Sequence, residues 1–408
     1  MYLASGIQKA TLAAAAALIA AGTLAAVDWP QWRGEKRDGI SSETGLLKQW
    51  PSGGPKVIWK TTGLGEGYSA FAIAKGKLFT QGQRGSEQYV MAFDVATGKK
   101  LWETASSEKF SQDRGNGPRG TPTLDGNNLY AESGDGILLS LDQASGKVNW
   151  KISMVKEFGG EVPGWGYSES PLIDGNLLIA TPGGRGASVV ALDKNTGKVV
   201  WKSQNDRAGY SSPIAVDTGK THQIIVFTGS GVMGLFGKTG ELLWRYDKVS
   251  NRTANIATPI YSNGYLFVSS AYGTGCALLK FEEDGKAKEV FFSKDMKNHY
   301  SSSVLVGKYL YGYNDAILTA MKFENGEVAW RSREVKKGSV AYADGMLYVL
   351  GEDGTVALAE ATPEAYKEVS RFDIRKGSLP TWTPPVISNG RLYLRDQDNL
   401  VSYDVKGR

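Results

Sequence analysis

Apolar and polar residues alternate in short runs along this chain, and turns rich in Gly, Asn and Asp break each run before it reaches helical length. Residues 191–201, ALDKNTGKVVW, are the clearest case: an apolar-acidic pair, Asn-Thr-Gly, then a run ending in Trp. The pattern predicts strand, tight turn, strand. The same hairpin recurs at 92–102, 140–150, 234–244 and 320–330, with a decayed copy around 285–292. Its closing aromatic falls at Trp59, Trp102, Trp150, Trp201, Trp244, Phe292, Trp330 and Phe372. That is a repeat of about 45 residues with strand signals only, as the four-stranded blades of a propeller require.

A second hairpin lies between these, with a Ser/Thr-Pro-like start, an alternating strand, an Asp/Asn-Gly turn and a Leu-Tyr-type strand. Its copies begin at Ser69, Thr121, Ser170, Ser212, Thr258, Ser302, Ser339 and Pro384. Each unit therefore supplies inner strands A and B, then the Trp hairpin as strands C and D. Residues 55–61 form a lone D strand, and the chain stops just after a C strand, so the two ends complete one blade and hide two strand edges. The predicted fold is all-β: an eight-bladed propeller of four-stranded antiparallel blades over 55–408, closed by the N-terminal strand pairing with the C-terminal blade.

Composition narrows the picture further. A chain of 408 residues suggests two or three domains by length, but no linker-like tract interrupts the repeats, so one ring suffices. With 51 Gly, 11% aromatic and 22% charged residues and net charge +5, disorder is excluded and an ordinary soluble surface expected. Residues 1–25 carry Lys9, an Ala/Leu-rich stretch from Ala10 to Leu24, and small residues at Thr23 and Ala25, the pattern of a secretory signal peptide. The expected location is periplasmic or secreted. The stretch is short and Ala-rich for a stable transmembrane anchor, and no cysteine near the cleavage region offers a lipid attachment site. Cys276 is the only cysteine, so neither an intramolecular disulfide nor a Cys-x-x-Cys-His haem site can form. Residues 26–54, aromatic and Arg/Gly-rich without periodicity, read as an extended arm whose Trp29, Trp32 and Trp50 cover the outside or one mouth of the propeller; a partner-binding arm is the alternative.

The residues leading into the A strands share one point of the repeat and hence one rim. They are Tyr68; Arg114 and Arg119; Trp165, Tyr167 and Glu169; Arg207 and Tyr210; Arg252 and Asn255; His299 and Tyr300; and Trp382. Together they predict a funnel with aromatic walls and four Arg, suited to a small planar or anionic ligand or an extended peptide. Other chemistries are poorly served. His222, expected to face solvent in a turn, and His299 are the only histidines, so no His metal cluster exists and a Ser-His-Asp triad would rest on His299 alone. The Gly-rich run at 181–188 follows a strand with no helix behind it, unlike a phosphate loop. Dispersed basic charge and export argue against nucleic acid.

The hairpins resemble the tryptophan-docking repeats of the pyrroloquinoline quinone (PQQ)-like propellers, the family that includes quinoprotein alcohol dehydrogenases and the outer-membrane assembly scaffold BamB. The pattern Ala-x-Asp-x-x-Thr-Gly-Lys-x-x-Trp is met in full by Ala191, Asp193, Thr196, Gly197, Lys198 and Trp201, and by Ala92, Asp94, Thr97, Gly98, Lys99 and Trp102. The resemblance spans 55–408, and the opening WPQWRG…RDG is similar to the start of secreted propellers of this group. It implies that Trp59, Trp102, Trp150, Trp201, Trp244 and Trp330 dock on the neighbouring blade's glycine turn, as architecture rather than catalysis. On function it implies first an exported, monomeric scaffold that engages a protein partner in the cell envelope. The alternative is a PQQ-dependent alcohol or sugar dehydrogenase with PQQ and Ca2+ in the funnel. That chemistry needs Arg for the quinone carboxylates, oxygen ligands for the cation and a carboxylate base. Glu169, Asn255, Asp113, Asp206 and Asp315 could serve, and no spacing selects among them. The adjacent-cysteine disulfide and haem module of many family dehydrogenases are absent from the sequence, so the reading leans away from an enzyme.

Overall fold

In the turn after the third C strand, Asp193 Oδ1 accepts hydrogen bonds from Thr196 N and Thr196 Oγ1, both at 2.8 Å. Asp94 with Thr97 and Asp142 with Ser145 repeat the arrangement. These Asp-centred turns bring the following glycine to φ 71° at Gly197. A side chain there is excluded for a second reason, since a Cβ on Gly197 would lie 3.0 Å from the indole of Trp150 in the preceding blade.

The computed structural model describes residues 27–374 and 377–407, so the leader expected at 1–25 lies outside the described residues. Among the described residues the strands form eight sheets, each an antiparallel A-B-C-D blade. The ring closes where Val57–Thr61 pairs antiparallel with Asn399–Asp404, giving the last blade its D strand. Apolar side chains from adjacent blades share one core: Tyr130 and Leu138 of the second blade cluster with Leu178 and Val190 of the third.

Indoles link the blades. Trp59 Nε1 donates to Val95 O at 2.8 Å, Trp102 to Gln143 O at 3.1 Å, Trp150 to Lys194 O at 3.0 Å, Trp201 to Gly237 O at 3.0 Å and Trp330 to Thr362 O at 2.8 Å. Trp244 instead donates to Gln223 Oε1 within its own blade, and Gln223 Nε2 carries the link onward to Gly285 O. The two phenylalanines of the series need correction. In the fifth blade Phe291, not Phe292, lies on the next glycine, Gly326, because the bulge after Leu278 places Phe291 opposite it. In the seventh blade the same register position holds Ser370, opposite Leu358, and Phe372 falls two residues beyond it.

On the inner side, hydroxyls stitch neighbouring A strands together. Thr121 N donates to Ser170 Oγ, Ser170 N to Ser212 Oγ and Thr258 N to Ser302 Oγ, all at 2.9 Å. This accounts for the Ser that opens the third, fourth and sixth repeats.

The N-terminal arm runs inside the ring over its first part and reaches the outer D strand of the seventh blade at Trp50. It enters the ring, bridging Trp29 to Ile73 of the first blade and Pro30 O to Leu124 N of the second. Ile40–Ser41 then adds in parallel to Gly338–Ala343, the inner strand of the seventh blade. Two arginines in the left-handed region, Arg33 and Arg37, turn inward and are buried. Arg37 donates to Ser170 O, Pro171 O and Pro213 O at the start of the third and fourth A strands, and Arg33 to Ser302 O and Ser303 O of the sixth. The arm thus plugs the central channel through main-chain carbonyls.

Candidate functional site

Above the plug lies a cavity of about 450 Å3. Tyr68, Arg114, Arg119, Trp165, Tyr210, His299, Tyr300 and Trp382, all expected on the rim, line it together. Their rings are in contact: Tyr68 and Trp382 have centroids 5.0 Å apart, Tyr300 and Trp382 5.6 Å, and Trp165 and Tyr210 5.7 Å. The guanidinium of Arg119 lies 5.4 Å from the Tyr68 centroid, held by Gly117 O and Gly115 O.

The other expected rim residues sit elsewhere, so the four-Arg funnel is corrected to one with Arg114 and Arg119 only. Arg207 and Asn255 line a smaller neighbouring cavity of about 200 Å3, which shares Tyr210 with the first. Arg252 gives its carbonyl to Arg207 Nη2 at 2.6 Å. Tyr167 is buried between blades, its ring on Gly136 and its hydroxyl donating to Pro182 O. Glu169 is buried, accepts from Thr181 N and Thr181 Oγ1, and lies beside the carboxyl of buried Glu132. The misses lie in irregular segments ahead of the strands, where the position in the repeat fixes the loop and not the direction of each side chain.

Residues missed from sequence include Trp32, Tyr272 and Lys337. Trp32 comes from the arm and donates Nε1 to Thr258 Oγ1 at 2.8 Å, bringing an indole into the funnel lining from below. Tyr272, in a B-to-C loop at φ 55°, stacks within 15° of Trp165 and contacts His299 at 4.9 Å. Lys337 immediately precedes the seventh A strand and so occupies the same repeat position as the other rim residues. Its Nζ lies 5.6 Å from the Tyr300 centroid.

The electrostatics follow from this lining, which among the described residues contains three cationic side chains and no carboxylate. Burial, then the charge of Lys337, pushes His299 down to about 4, so it is neutral at physiological pH. It is therefore a ring in the wall, not a base poised near neutrality. His222, expected to face solvent, is half-buried and clamped between Asp217 Oδ1 at 2.7 Å and Asp174 at 2.9 Å. The groups a Ca2+-bound quinone would need do not converge on the funnel. Asp206 pairs with Arg245 at 2.9 Å and Asp315 with Lys297 at 2.6 Å; Asp113 accepts from its loop neighbour Gln112, and Glu169 and Asn255 are placed as above. Among the described residues no three His, Cys, Asp or Glu side chains converge as metal ligands. The cation and the base of quinoprotein catalysis do not fit here.

Eight blades, four of whose junctions seat an indole on a glycine, with an aromatic funnel on the axis, define a PQQ-like propeller. The chain belongs to the family described as outer membrane protein assembly factor BamB, whose model matches residues 86–332. It is 25% identical over 305 residues to outer membrane protein assembly factor BamB of Yersinia pestis, covering 69% of this chain and 71% of that one. Over a stretch of 72 residues, 14% of this chain and 12% of the relative, it is 47% identical to the quinoprotein ethanol dehydrogenase of Pseudomonas aeruginosa. The crystal structure of BamB from Moraxella catarrhalis superimposes with TM-score 0.64 at 17% identity, over 86% of this chain and 98% of that one. The quinohemoprotein alcohol dehydrogenase of Comamonas testosteroni gives 0.66 at 13%, over 93% and 81%. At these identities the two structures share the fold alone.

Proposed function

We propose that this chain is an exported scaffold of the cell envelope that engages a protein partner in outer-membrane assembly, and not a quinone-dependent dehydrogenase. The family and the Yersinia relative support the scaffold; the funnel, without carboxylates for a cation or base, withdraws support from the enzyme. The observation that carries the reading is on the outer edge. Among the described residues the D strand Val199–Ser203 has no further strand beside it, and it exposes Val199 at 48% and Val200 at 52%, with Leu242 exposed on the next blade. An open strand edge bearing apolar side chains is a site for strand addition or apolar docking by a partner. Among the described residues no helix is long and apolar enough to cross a membrane.

The test is genetic and biochemical. Loss of the gene should lower the amount of folded outer-membrane β-barrel protein, with restoration by the wild-type chain but not by Val200→Lys, whose melting temperature should stay unchanged. Normal barrel levels in the deletion strain, together with dye reduction by the purified chain given PQQ, Ca2+ and an alcohol, would replace the scaffold with the enzyme.

A further inference from the structure

The geometry points to a second, independent function for the funnel: a metal-free binding site for a small aromatic carboxylate. Arg119 carries the argument. Buried arginines elsewhere in this chain are saturated by backbone acceptors: Arg395 makes five hydrogen bonds and Arg37 donates to three main-chain carbonyls, Gln31 Oε1 and Thr123 Oγ1. Arg119, half-buried, makes two, to Gly117 O at 2.8 Å and Gly115 O at 2.7 Å. Among the described residues no carboxylate lies within salt-bridge distance of it, and its remaining N–H groups are not sealed into the protein. A half-buried guanidinium with unused donors in an open cavity is matched by an anion that can take two parallel N–H bonds.

The walls specify the rest of the ligand. Tyr68, Trp382 and Tyr300 form one continuous aromatic face, and Trp165 stacked with Tyr272 forms another. Lys337 adds a further cation, its one carboxylate neighbour among the described residues being Glu352 at 3.8 Å. With Trp32 and the arm in the channel, the funnel ends blind, and about 450 Å3 is in the range of small-molecule sites. A neutral aromatic would stack equally well yet leave Arg119 unpaired, so the charge should decide affinity. Without carboxylates in the lining, no cation is called for.

The experiment measures 2-naphthoate binding to the full chain by tryptophan quenching and calorimetry, with 2-naphthamide as the neutral isostere, in EDTA and in Ca2+. Saturable naphthoate binding, unchanged by EDTA and about tenfold or more tighter than the amide, is expected. Arg119→Gln should erase the preference for acid over amide. Because Arg119 also braces its loop, Lys337→Met is the second variant; it should weaken naphthoate and leave the amide unaffected. Equal affinity for acid and amide, binding only when Ca2+ is present, or no saturation at millimolar naphthoate would overturn the site. The scaffold reading is scored separately: Arg119→Gln should restore barrel levels in the deletion strain, so either reading can fail alone.

Discussion

The indole of Trp50 packs on the ring of Tyr348 with centroids 5.9 Å apart, the spacing at which Trp59 meets Tyr393 (6.0 Å) and Trp330 meets Tyr311 (5.9 Å). Those other indoles come from the blade's own D strand. In the seventh blade that register position is Ser370, and the arm brings Trp50 to it, with Trp50 N donating to Ser370 Oγ at 2.8 Å. Phe372 completes the junction, 5.4 Å from Trp50 and against Gly54.

Trp50→Ala should therefore cost as much as Trp59→Ala, about 3–5 kcal/mol, although Trp50 lies outside the repeats. Urea unfolding of both variants measures this. A loss under about 1 kcal/mol for Trp50→Ala would show that the arm only lies on the blade.

The repeats were legible because the strand period, the Asp-x-x-Thr-Gly turns and the indole spacing are each local. The arm was not, because its contacts are made by Arg33, Arg37 and Trp32 to carbonyls and hydroxyls of distant A strands. Hydrogen bonding to a backbone acceptor leaves no partner residue type to recognise in the sequence. The rim was half legible. A position in the repeat identifies a loop, but not which of its side chains faces the axis, hence Trp165 in the funnel and Tyr167 between blades. Lys337 obeyed the same positional rule and was readable; Tyr272 and Trp32 were not.

Arg37→Met should be strongly destabilising, by about 3–5 kcal/mol, since it strands the carbonyls of Ser170, Pro171 and Pro213 in a buried channel. Arg37→Lys should recover little of this, one ammonium being unable to span carbonyls from two blades. A lysine variant with wild-type stability in denaturant would disprove the clamp.

Stability should depend on pH through the Glu132 and Glu169 pair. Burial raises both carboxyls; Glu132 is raised further by Glu169, while hydrogen bonds from Thr181 partly offset the effect on Glu169, which reaches about 7. A carboxyl raised in the folded state binds its proton more tightly there. Its contribution is complete below the ordinary value of 4.5 and is lost as pH rises towards about 7. His222 is also raised on balance, Asp217 and Asp174 outweighing its burial, and so adds a fall near and above its ordinary 6.5. Melting curves in a His222→Gln background should thus decline from pH 4.5 to 7 and flatten with Glu132→Gln; an unchanged slope would remove the pair from the account.

Deleting residues 55–63 should aggregate the protein or lower its melting temperature sharply, because it takes Val57–Thr61 from the last blade and exposes the edge of Asn399–Asp404. Retention of the wild-type melt would mean the ring closes without this strand.

The junction of the fourth and fifth blades offers a test of relay against direct contact. Five indoles reach the next blade's backbone themselves, whereas Trp244 bonds Gln223 and Gln223 bonds Gly285 O at 2.7 Å. The turn before Gly285 reads Glu-Glu-Asp and lacks the Asp-x-x-Thr arrangement, so the glutamine amide bridges the two groups with its acceptor and its donor. Gln223→Leu leaves the indole N–H and the carbonyl both unpaired and should cost about 2–4 kcal/mol. Replacing the indole as well, in Gln223→Leu with Trp244→Phe, removes one of the two orphans. The double variant should therefore be less destabilised than the sum of the singles. Strict additivity in denaturant unfolding would mean that Trp244 and Gln223 act separately and that this junction is held by apolar packing alone.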